Sequence, residues 1–147
     1  MKLFCFGLGY TARHLGQSLS PKTWQFSGTS RKSGDYIFDG EDAMQNASDA
    51  LKDVTHILIT IPPSKSHGDL VLNHHQKDIL NIPSLEWVGY LSATSVYGDH
   101  NGEWVNEKSE TTPVSQRGID RKNAEDQWLS LNLPVHIFRL SGIYGPD

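Results

Sequence analysis

A glycine-rich segment near the amino terminus has the spacing of a phosphate-binding turn. From Gly7 the sequence reads Gly-Leu-Gly-Tyr-Thr-Ala, which fits the pattern G-x-G-x-x-G/A. In that pattern Gly7 permits a tight turn, Gly9 lets the backbone approach a pyrophosphate, and Ala12 keeps the following helix close to the preceding strand. Backbone amides at the start of the helix, near Tyr10 and Thr11, would then face the phosphates. A bare strand-to-helix turn also needs glycine, so the elements around the motif decide its value.

Polar residues at the end of the second predicted strand bear on the choice of cofactor. NAD-binding proteins usually carry an Asp or Glu there, but this chain has Ser30, Arg31 and Lys32. An Arg can hold a 2′-phosphate through two parallel hydrogen bonds, so we predict NADP, with NAD less favoured. The alternative is that Arg31 and Lys32 are ordinary solvated charges. Asp39, after the third predicted strand, could hold the adenine or form a plain Asp-Gly turn.

Residues that follow later strands complete the expected cofactor site. Pro62 and Pro63 end the fourth predicted strand directly after Ile61, and Ser92 lies near the end of the fifth. Ligands of doubly wound sheets bind outside the carboxyl ends of the strands. We therefore assign these four residues to the cofactor cleft as well.

Strands and helices alternate along the chain. Short apolar or alternating runs predict strands, and apolar residues three or four apart predict helices. The predicted strands are 2–6, 24–30, 35–40, 56–61, part of 85–98 and 134–140, and the predicted helices are 12–19, 41–51, 67–80 and 118–131. This alternation predicts an α/β fold, a Rossmann-type doubly wound parallel β-sheet in three α/β/α layers. We expect one NAD(P)-binding domain over residues 1–147.

Two segments of the carboxyl-terminal half carry further expectations. The long polar stretch 98–117 is typical of a lid or a disordered loop, and we expect it at the carboxyl edge of the sheet. The last predicted helix has four large apolar residues available to face a core: Ile119, Trp128, Leu129 and Leu131.

Composition and charge exclude several classes of partner. The chain has 147 residues, of which 37% are hydrophobic and 20% charged, enough for one globular domain. Its net charge of −4 argues against nucleic-acid binding. We find no apolar run long enough for a membrane span and no signal-peptide pattern, so we expect a cytoplasmic protein. Cys5 is predicted to be buried in a strand, and His67, His74 and His75 lack the spacing of a metal site.

Four segments together carry a family resemblance. They are "GLGYTAR" after the first strand, "GTSR" after the second, "LSATSVYGD" after the fifth and "RLSGIYGP" after the sixth. With these segments the chain resembles the short-chain dehydrogenase/reductase superfamily, in particular its extended and atypical branches, which include nucleotide-sugar epimerases and dehydratases. The resemblance implies a nicotinamide cofactor and a nucleotide-sugar or other small-molecule substrate. It also implies a second, substrate-binding lobe after Tyr-Gly-Pro, outside this sequence. We also consider a homodimer.

The resemblance also shows replaced catalytic positions. In that family a Tyr transfers a proton, a Lys four residues later lowers the pKa of the Tyr, and a Ser or Thr polarises the reacting oxygen. Here Arg117 aligns with the Tyr, Arg121 with the Lys, and Ala93 with the Ser or Thr. Arginine stays protonated, so it cannot serve as the general acid or base, although it can bind an anion.

Other residues are then the candidates for chemistry. We predict Tyr97 as the proton-transfer group, Thr94 or Ser95 as a hydrogen-bond donor to the reacting oxygen, and Arg117 or Arg121 as a phosphate or carboxylate clamp. In the alternative, Tyr97 is a half-buried loop aromatic and Arg121 pairs on the surface with Glu125, one helical turn away. Two functions remain open: an NADP-dependent, epimerase-like oxidoreductase, and a non-catalytic NAD(P)-binding sensor or scaffold.

Overall fold

Six parallel strands form one sheet in the computed structural model, which describes residues 1–145. The strands are β1 (Lys2–Phe6), β2 (Gln25–Ser30), β3 (Tyr36–Ile37), β4 (His56–Ile59), β5 (Trp87–Ala93) and β6 (Val135–Leu140). The helices are α1 (Tyr10–Ser18), α2 (Ala47–Ala50), α3 (Leu70–Leu80) and α4 (Gln116–Ser130), with a 3-10 turn at Thr94–Val96. The strand order β3-β2-β1-β4-β5-β6 confirms the predicted Rossmann-type doubly wound sheet.

Each face of the sheet has its own apolar cluster, because successive side chains of a strand point to opposite faces. Phe4 and Phe6 of β1 belong to a large cluster that includes Val71 of α3 and Trp128 of α4. Leu3 and Cys5 of the same strand belong to a smaller cluster with Ala12 of α1. The helices therefore cover both faces, as expected for three α/β/α layers, and the prediction that Cys5 is buried is confirmed.

The predicted helix 41–51 is wrong in extent, since α2 has only four residues. Asn46, directly before α2, has a left-handed backbone with φ of 57°, which interrupts helical geometry. Earlier in the segment, Met44 is buried and its backbone amide donates to Nε2 of His75 over 3.0 Å. A tertiary hydrogen bond thus replaces a helical one.

The buried face of α4 is more polar than predicted. Gly118, Arg121, Ala124, Glu125 and Trp128 are its buried residues, at spacings that follow one side of a helix. Ile119 and Leu129 are exposed, which contradicts their predicted place in the core. Two charged residues occupy the positions that a purely apolar pattern would give to hydrophobic side chains.

The stretch 98–117 folds back on the residue that precedes it. The hydroxyl of Thr112 donates to the backbone oxygen of Tyr97 over 2.9 Å, so the two ends of this stretch lie together beside the 3-10 turn. Within residues 1–145, no helix combines the length and the apolar character needed to cross a membrane.

Candidate cofactor and ligand site

Two neighbouring cavities lie beyond the carboxyl ends of the strands. The β2-side cavity, of about 570 Å³, is lined by residues that follow β1, β2, β3 and β4. The α4-side cavity, of about 430 Å³, is lined by the start of α1, the end of β5, α4 and the segment after β6. Gly9 and Thr60 line both cavities, so the two spaces meet at the glycine turn. This is the place where the strand order reverses and where sheets of this kind bind their ligands.

The two positions of the turn differ in why they hold glycine. Gly7 has φ of 101°, and a Cβ there would lie 2.5 Å from Oγ1 of Thr60, so the fold itself requires glycine. Gly9 has an ordinary φ of −82°, and a Cβ there would meet no atom within 4 Å. Packing of the chain therefore does not explain Gly9, which faces open space between the two cavities.

The start of α1 favours an anion in that space. The first amides of any helix lack intrahelical acceptors. Gly9, the N-cap residue of α1, has no side chain that could accept hydrogen bonds from them. The first turn of α1 contains no acidic residue, so nothing on the helix itself balances the positive end of its dipole. Open space and unbalanced positive charge together suit a phosphate group.

The β2-side cavity contains eight of the predicted cofactor residues. They are Gly7, Gly9, Ser30, Arg31, Asp39, Ile61, Pro62 and Pro63. Asp39 also accepts a hydrogen bond from the amide of Glu41 over 3.0 Å, which is the Asp-Gly turn of the alternative interpretation. Glycine, arginine and aspartate residues that the sequence analysis singled out thus line the same cavity.

Sequence reasoning missed a second arginine at this cavity. Arg13 lines it beside Arg31, with its Nε donating to the backbone oxygen of Leu8 over 2.9 Å. The available signal was its position, one residue after the glycine motif. Two arginines at one cavity favour the binding of an anionic group there.

The α4-side cavity contains the remaining cofactor residues and both aligned arginines. They are Tyr10, Thr11, Ala12, Ser92, Arg117 and Arg121. The side chain of Ser115 caps α4 by accepting from the amide of Gly118 over 3.1 Å, which starts the helix just before Arg117. Arg117 and Arg121 are four residues apart, so α4 presents them on one side. The segment Leu140 to Ile143, which also lines this cavity, was missed although it belongs to the quoted "RLSGIYGP".

Thr94, Ser95 and Tyr97 line neither cavity. Tyr97 is only 6% exposed, so it is more buried than the half-buried aromatic of the alternative interpretation. Its hydroxyl accepts a hydrogen bond from Nη1 of Arg139 over 3.2 Å, and that guanidinium lies 4.9 Å from the centre of the ring. The structure therefore leaves these three residues out of the lining of both cavities, and Arg139 connects Tyr97 to β6.

The surface pair of Arg121 with Glu125, which the alternative interpretation proposed, is wrong. Glu125 is 1% exposed, and both its oxygens accept from Arg139 on β6 at 2.8 to 3.3 Å. This ion pair raises the pKa of Arg139 further above its ordinary range. Arg121 instead donates from Nη1 to the backbone oxygen of Leu91 over 2.6 Å. Arg121 and Glu125 therefore both have their partners on strands of the sheet, β5 and β6, which their spacing along α4 does not reveal.

A buried carboxyl joins α3 to α4. Asp69 accepts from the amide of Leu72 and from Nε1 of Trp128, each over 2.9 Å. Burial raises the pKa of Asp69, and the same cause raises the pKa of the nearby Tyr90 hydroxyl. Among residues 1–145, no group of three His, Cys, Asp or Glu residues could hold a metal ion.

Fold and cavities together define an α/β protein with a Rossmann-type ligand cleft. No protein-family model matches the chain. It is similar to protein YeeZ of Escherichia coli (strain K12), with 32% identity over 166 aligned positions that cover 99% of this chain and 60% of YeeZ. The chain thus spans about three fifths of the length of this curated relative.

Solved structures show the same fold. A functionally unknown conserved protein from Silicibacter pomeroyi DSS is 42% identical, with a TM-score of 0.83 over 99% of this chain and 54% of that protein. UDP-glucuronic acid 4-epimerase from Bacillus cereus, solved in complex with NAD, is 20% identical, with a TM-score of 0.79 over 99% of this chain and 58% of the epimerase. The second likeness, at low identity, shows a shared fold.

Proposed function

We propose that this chain binds a nicotinamide dinucleotide across the two cavities. The adenosine half occupies the β2-side cavity, the pyrophosphate lies over Gly9, and the nicotinamide half enters the α4-side cavity. Gly9 carries this proposal, because neither backbone conformation nor packing accounts for its missing side chain. A pyrophosphate against the first turn of α1 does account for it. The Bacillus cereus epimerase, which has the same fold and was solved with NAD, supports the choice of ligand class.

The preferred dinucleotide in this proposal is NADP. Arg13 and Arg31 both line the β2-side cavity, and Arg31 follows directly after β2. The position at the end of β2 is where a carboxylate would bind the ribose 2′-hydroxyl of NAD and where a guanidinium accommodates the 2′-phosphate of NADP. Asp39 lines the same cavity and lies within reach of an adenine in this placement.

The proposed class is an atypical short-chain dehydrogenase/reductase-like protein related to nucleotide-sugar epimerases and dehydratases. A bound nicotinamide supplies hydride transfer. The chain's own contribution at the α4-side cavity is electrostatic, since Arg117 and Arg121 stand where the family has a Tyr and a Lys and can bind anions but not exchange protons. The proposal is thus an oxidoreductase with a non-standard proton donor.

A non-catalytic NAD(P)-binding sensor or scaffold is the second candidate. The position of Tyr97 favours it, because this tyrosine lines neither cavity and its hydroxyl is held by Arg139. Both candidates bind the dinucleotide. Only the first turns it over, so a screen of NADP⁺ reduction with nucleotide sugars separates the two candidates.

A matched pair of glycine variants tests the proposed cofactor site. Gly9→Val places a branched side chain in the open space, so it should abolish NADPH binding while the thermal midpoint changes little. Gly7→Ala meets Thr60 in a left-handed backbone conformation, so it should lower the thermal midpoint by several degrees. NADPH fluorescence titration and thermal unfolding measure the two effects.

The outcomes are distinct. Loss of NADPH binding in a folded Gly9→Val protein supports a pyrophosphate at the turn. If the wild-type protein binds neither NADPH nor NADH, or if Gly9→Val binds NADPH as well as the wild type, the proposed site is wrong.

A further inference from the structure

Arg121 is a buried cation with an incomplete set of partners. It is 9% exposed, its Nη1 donates to a neutral group, the backbone oxygen of Leu91, and its charge also acts on the Tyr90 hydroxyl. The ion pairs among residues 1–145 do not include Arg121. A buried charge without a counterion is unfavourable, so such a group normally has an anionic partner.

The neighbouring carboxyls are already engaged elsewhere. Glu125, one turn further along α4, has both oxygens on Arg139. Asp69 accepts hydrogen bonds from Leu72 and Trp128, and its burial keeps the pKa of its carboxyl raised. The charge of Arg121 lowers the pKa of Asp69 against the effect of burial, but among residues 1–145 no hydrogen bond joins Arg121 to either carboxyl, and Arg121 lines the α4-side cavity.

The lining of the α4-side cavity is cationic and has a second incomplete polar group. Among the described residues it contains two guanidinium groups, those of Arg117 and Arg121, and no carboxylate. Ser92 also lines it, is 4% exposed, and its Oγ has no hydrogen-bond partner within residues 1–145. A buried hydroxyl without a partner costs free energy unless a ligand or a water completes it.

We propose that the α4-side cavity is an oxyanion receptor, which holds a carboxylate or phosphate group of the substrate between Arg121 and Arg117. Arg121 is the fixed element, because Leu91 orients its guanidinium from one side. Arg117 is exposed, so it closes on the anion from the solvent side. Ser92 donates its hydroxyl to the same group. This inference rests on the proposed function where it calls the bound anion part of a substrate. Binding of the anion itself requires no dinucleotide.

The proposal explains Arg117 and Arg121, at the two replaced catalytic positions, by one shared role in anion binding. A Tyr and a Lys at these positions would exchange and stabilise a proton, whereas two arginines four residues apart offer ten N–H donors and a charge of about +2. Planar guanidinium groups match carboxylate and phosphate oxygens in pairs. The predicted substrate class is therefore a small molecule that carries an oxyanion near its reacting carbon.

Calorimetric titration of the purified protein without dinucleotide tests the receptor directly. The probes are inorganic phosphate and malonate, at constant ionic strength. Arg117→Gln should weaken binding of the recognised probe by about tenfold or more, the usual effect of losing one charge-assisted hydrogen bond. Lys122→Gln is the matched control, because it removes the same charge from α4 outside the cavity, where Lys122 pairs with Asp126. It should leave binding unchanged.

Two further variants keep the result interpretable. Arg121→Lys keeps the buried charge but not the paired donors, so it should weaken binding while the protein stays folded. Arg31→Ala reports any binding of a probe at the β2-side cavity, which the effect of Arg117→Gln then separates from binding at the receptor. Preference for phosphate or for malonate then identifies which oxyanion the receptor takes.

Three results would overturn the receptor. They are no binding of either probe to the wild type, equal affinities of Arg117→Gln and Lys122→Gln, and binding that disappears in Arg31→Ala but survives in Arg117→Gln. A separate NADPH titration of the wild type reports on the proposed function. Failure of NADPH to bind would contradict the proposed dinucleotide site. The anion titrations could still be interpreted, because they are carried out without dinucleotide.

Discussion

Three arginines of this chain lie in three different surroundings. Arg31 is exposed after β2 at the rim of a cavity. Arg121 is buried on a backbone oxygen, and Arg139 neutralises the buried Glu125. The cost of burying a charge depends on its partner, so the same residue type can contribute stability in one place and binding energy in another. Residue identity alone therefore does not assign function here.

Replacing Arg31 tests the cofactor preference at this scale. Arg31→Ala should weaken NADPH binding by about tenfold or more, because it removes a charge-assisted hydrogen bond to the 2′-phosphate. NADH, which lacks that phosphate, should bind the variant as it binds the wild type. Fluorescence titration with both dinucleotides measures the change.

Lys32→Ala is the control for that experiment. Lys32 is the neighbouring exposed cation and does not line the cavity, so its loss should change NADPH affinity much less. Equal effects of the two variants would indicate general electrostatic attraction and contradict a specific phosphate contact.

At the scale of elements, one side chain sets the start of α3 and its relation to α4. Asp69 caps α3 through Leu72 and holds Trp128 of α4 through a second hydrogen bond. Both helices pack on the same face of the sheet, where Trp128 is fully buried. The cap that begins α3 is thus also a tertiary contact with α4.

The raised pKa of Asp69 predicts a pH dependence of stability. The folded carboxyl keeps its proton to a higher pH than the unfolded one, whose ordinary value is 3.8. Protonation therefore favours the folded state below 3.8, and this contribution is lost as pH rises through the folded pKa. The free energy of unfolding of the wild type, relative to Asp69→Asn, should decrease over that window. Urea unfolding of both proteins at a series of pH values measures it.

Asp126→Asn serves as a comparison, since it removes an exposed carboxyl of the same kind from α4. It controls for the loss of one negative charge from the protein. A constant stability difference between the wild type and Asp69→Asn would show that Asp69 has the same pKa in both states.

At the scale of the whole molecule, the last strand and the last helix are joined by the pair of Glu125 and Arg139. Strand β6 is at the edge of the sheet, next to β5. Arg139 crosses from this edge to the buried carboxylate on α4 and also supports Tyr97 beside the 3-10 turn. These contacts connect α4 to β6, and the bond of Thr112 to Tyr97 adds the polar stretch 98–117 to them.

Removing one member of this pair should destabilise the whole fold. Arg139→Met leaves Glu125 as a buried carboxylate without its counterion, at a cost of about 3 to 5 kcal/mol. The double variant Glu125→Leu with Arg139→Met removes both charges and should recover most of that loss. Urea unfolding of the wild type and both variants measures the free energies. A double variant no more stable than the single one would contradict a simple loss of charge compensation.

The elements that the sequence predicted well are those with strong local patterns. Strand β1 lies at its predicted bounds, and β4, with its β-branched run, lies within one or two residues of them. The glycine turn could also be located from its motif, because Gly7 needs its left-handed backbone wherever the turn occurs. The short α2 could not, since a bond from Met44 to the distant His75 competes with helix formation there.

For the candidate site, residue types and their order along the chain were decided by the sequence alone: glycines after the first strand, Arg31 after the second, and arginines at both aligned catalytic positions. Tertiary structure decided which of these residues meet. Arg13 and Arg31 line one cavity, and Arg121 and Ser92 line the other. Glu125 forms its ion pair with Arg139 of β6. The reason is physical: local patterns determine backbone conformation, whereas charge partners and burial depend on segments that only the folded sheet brings together.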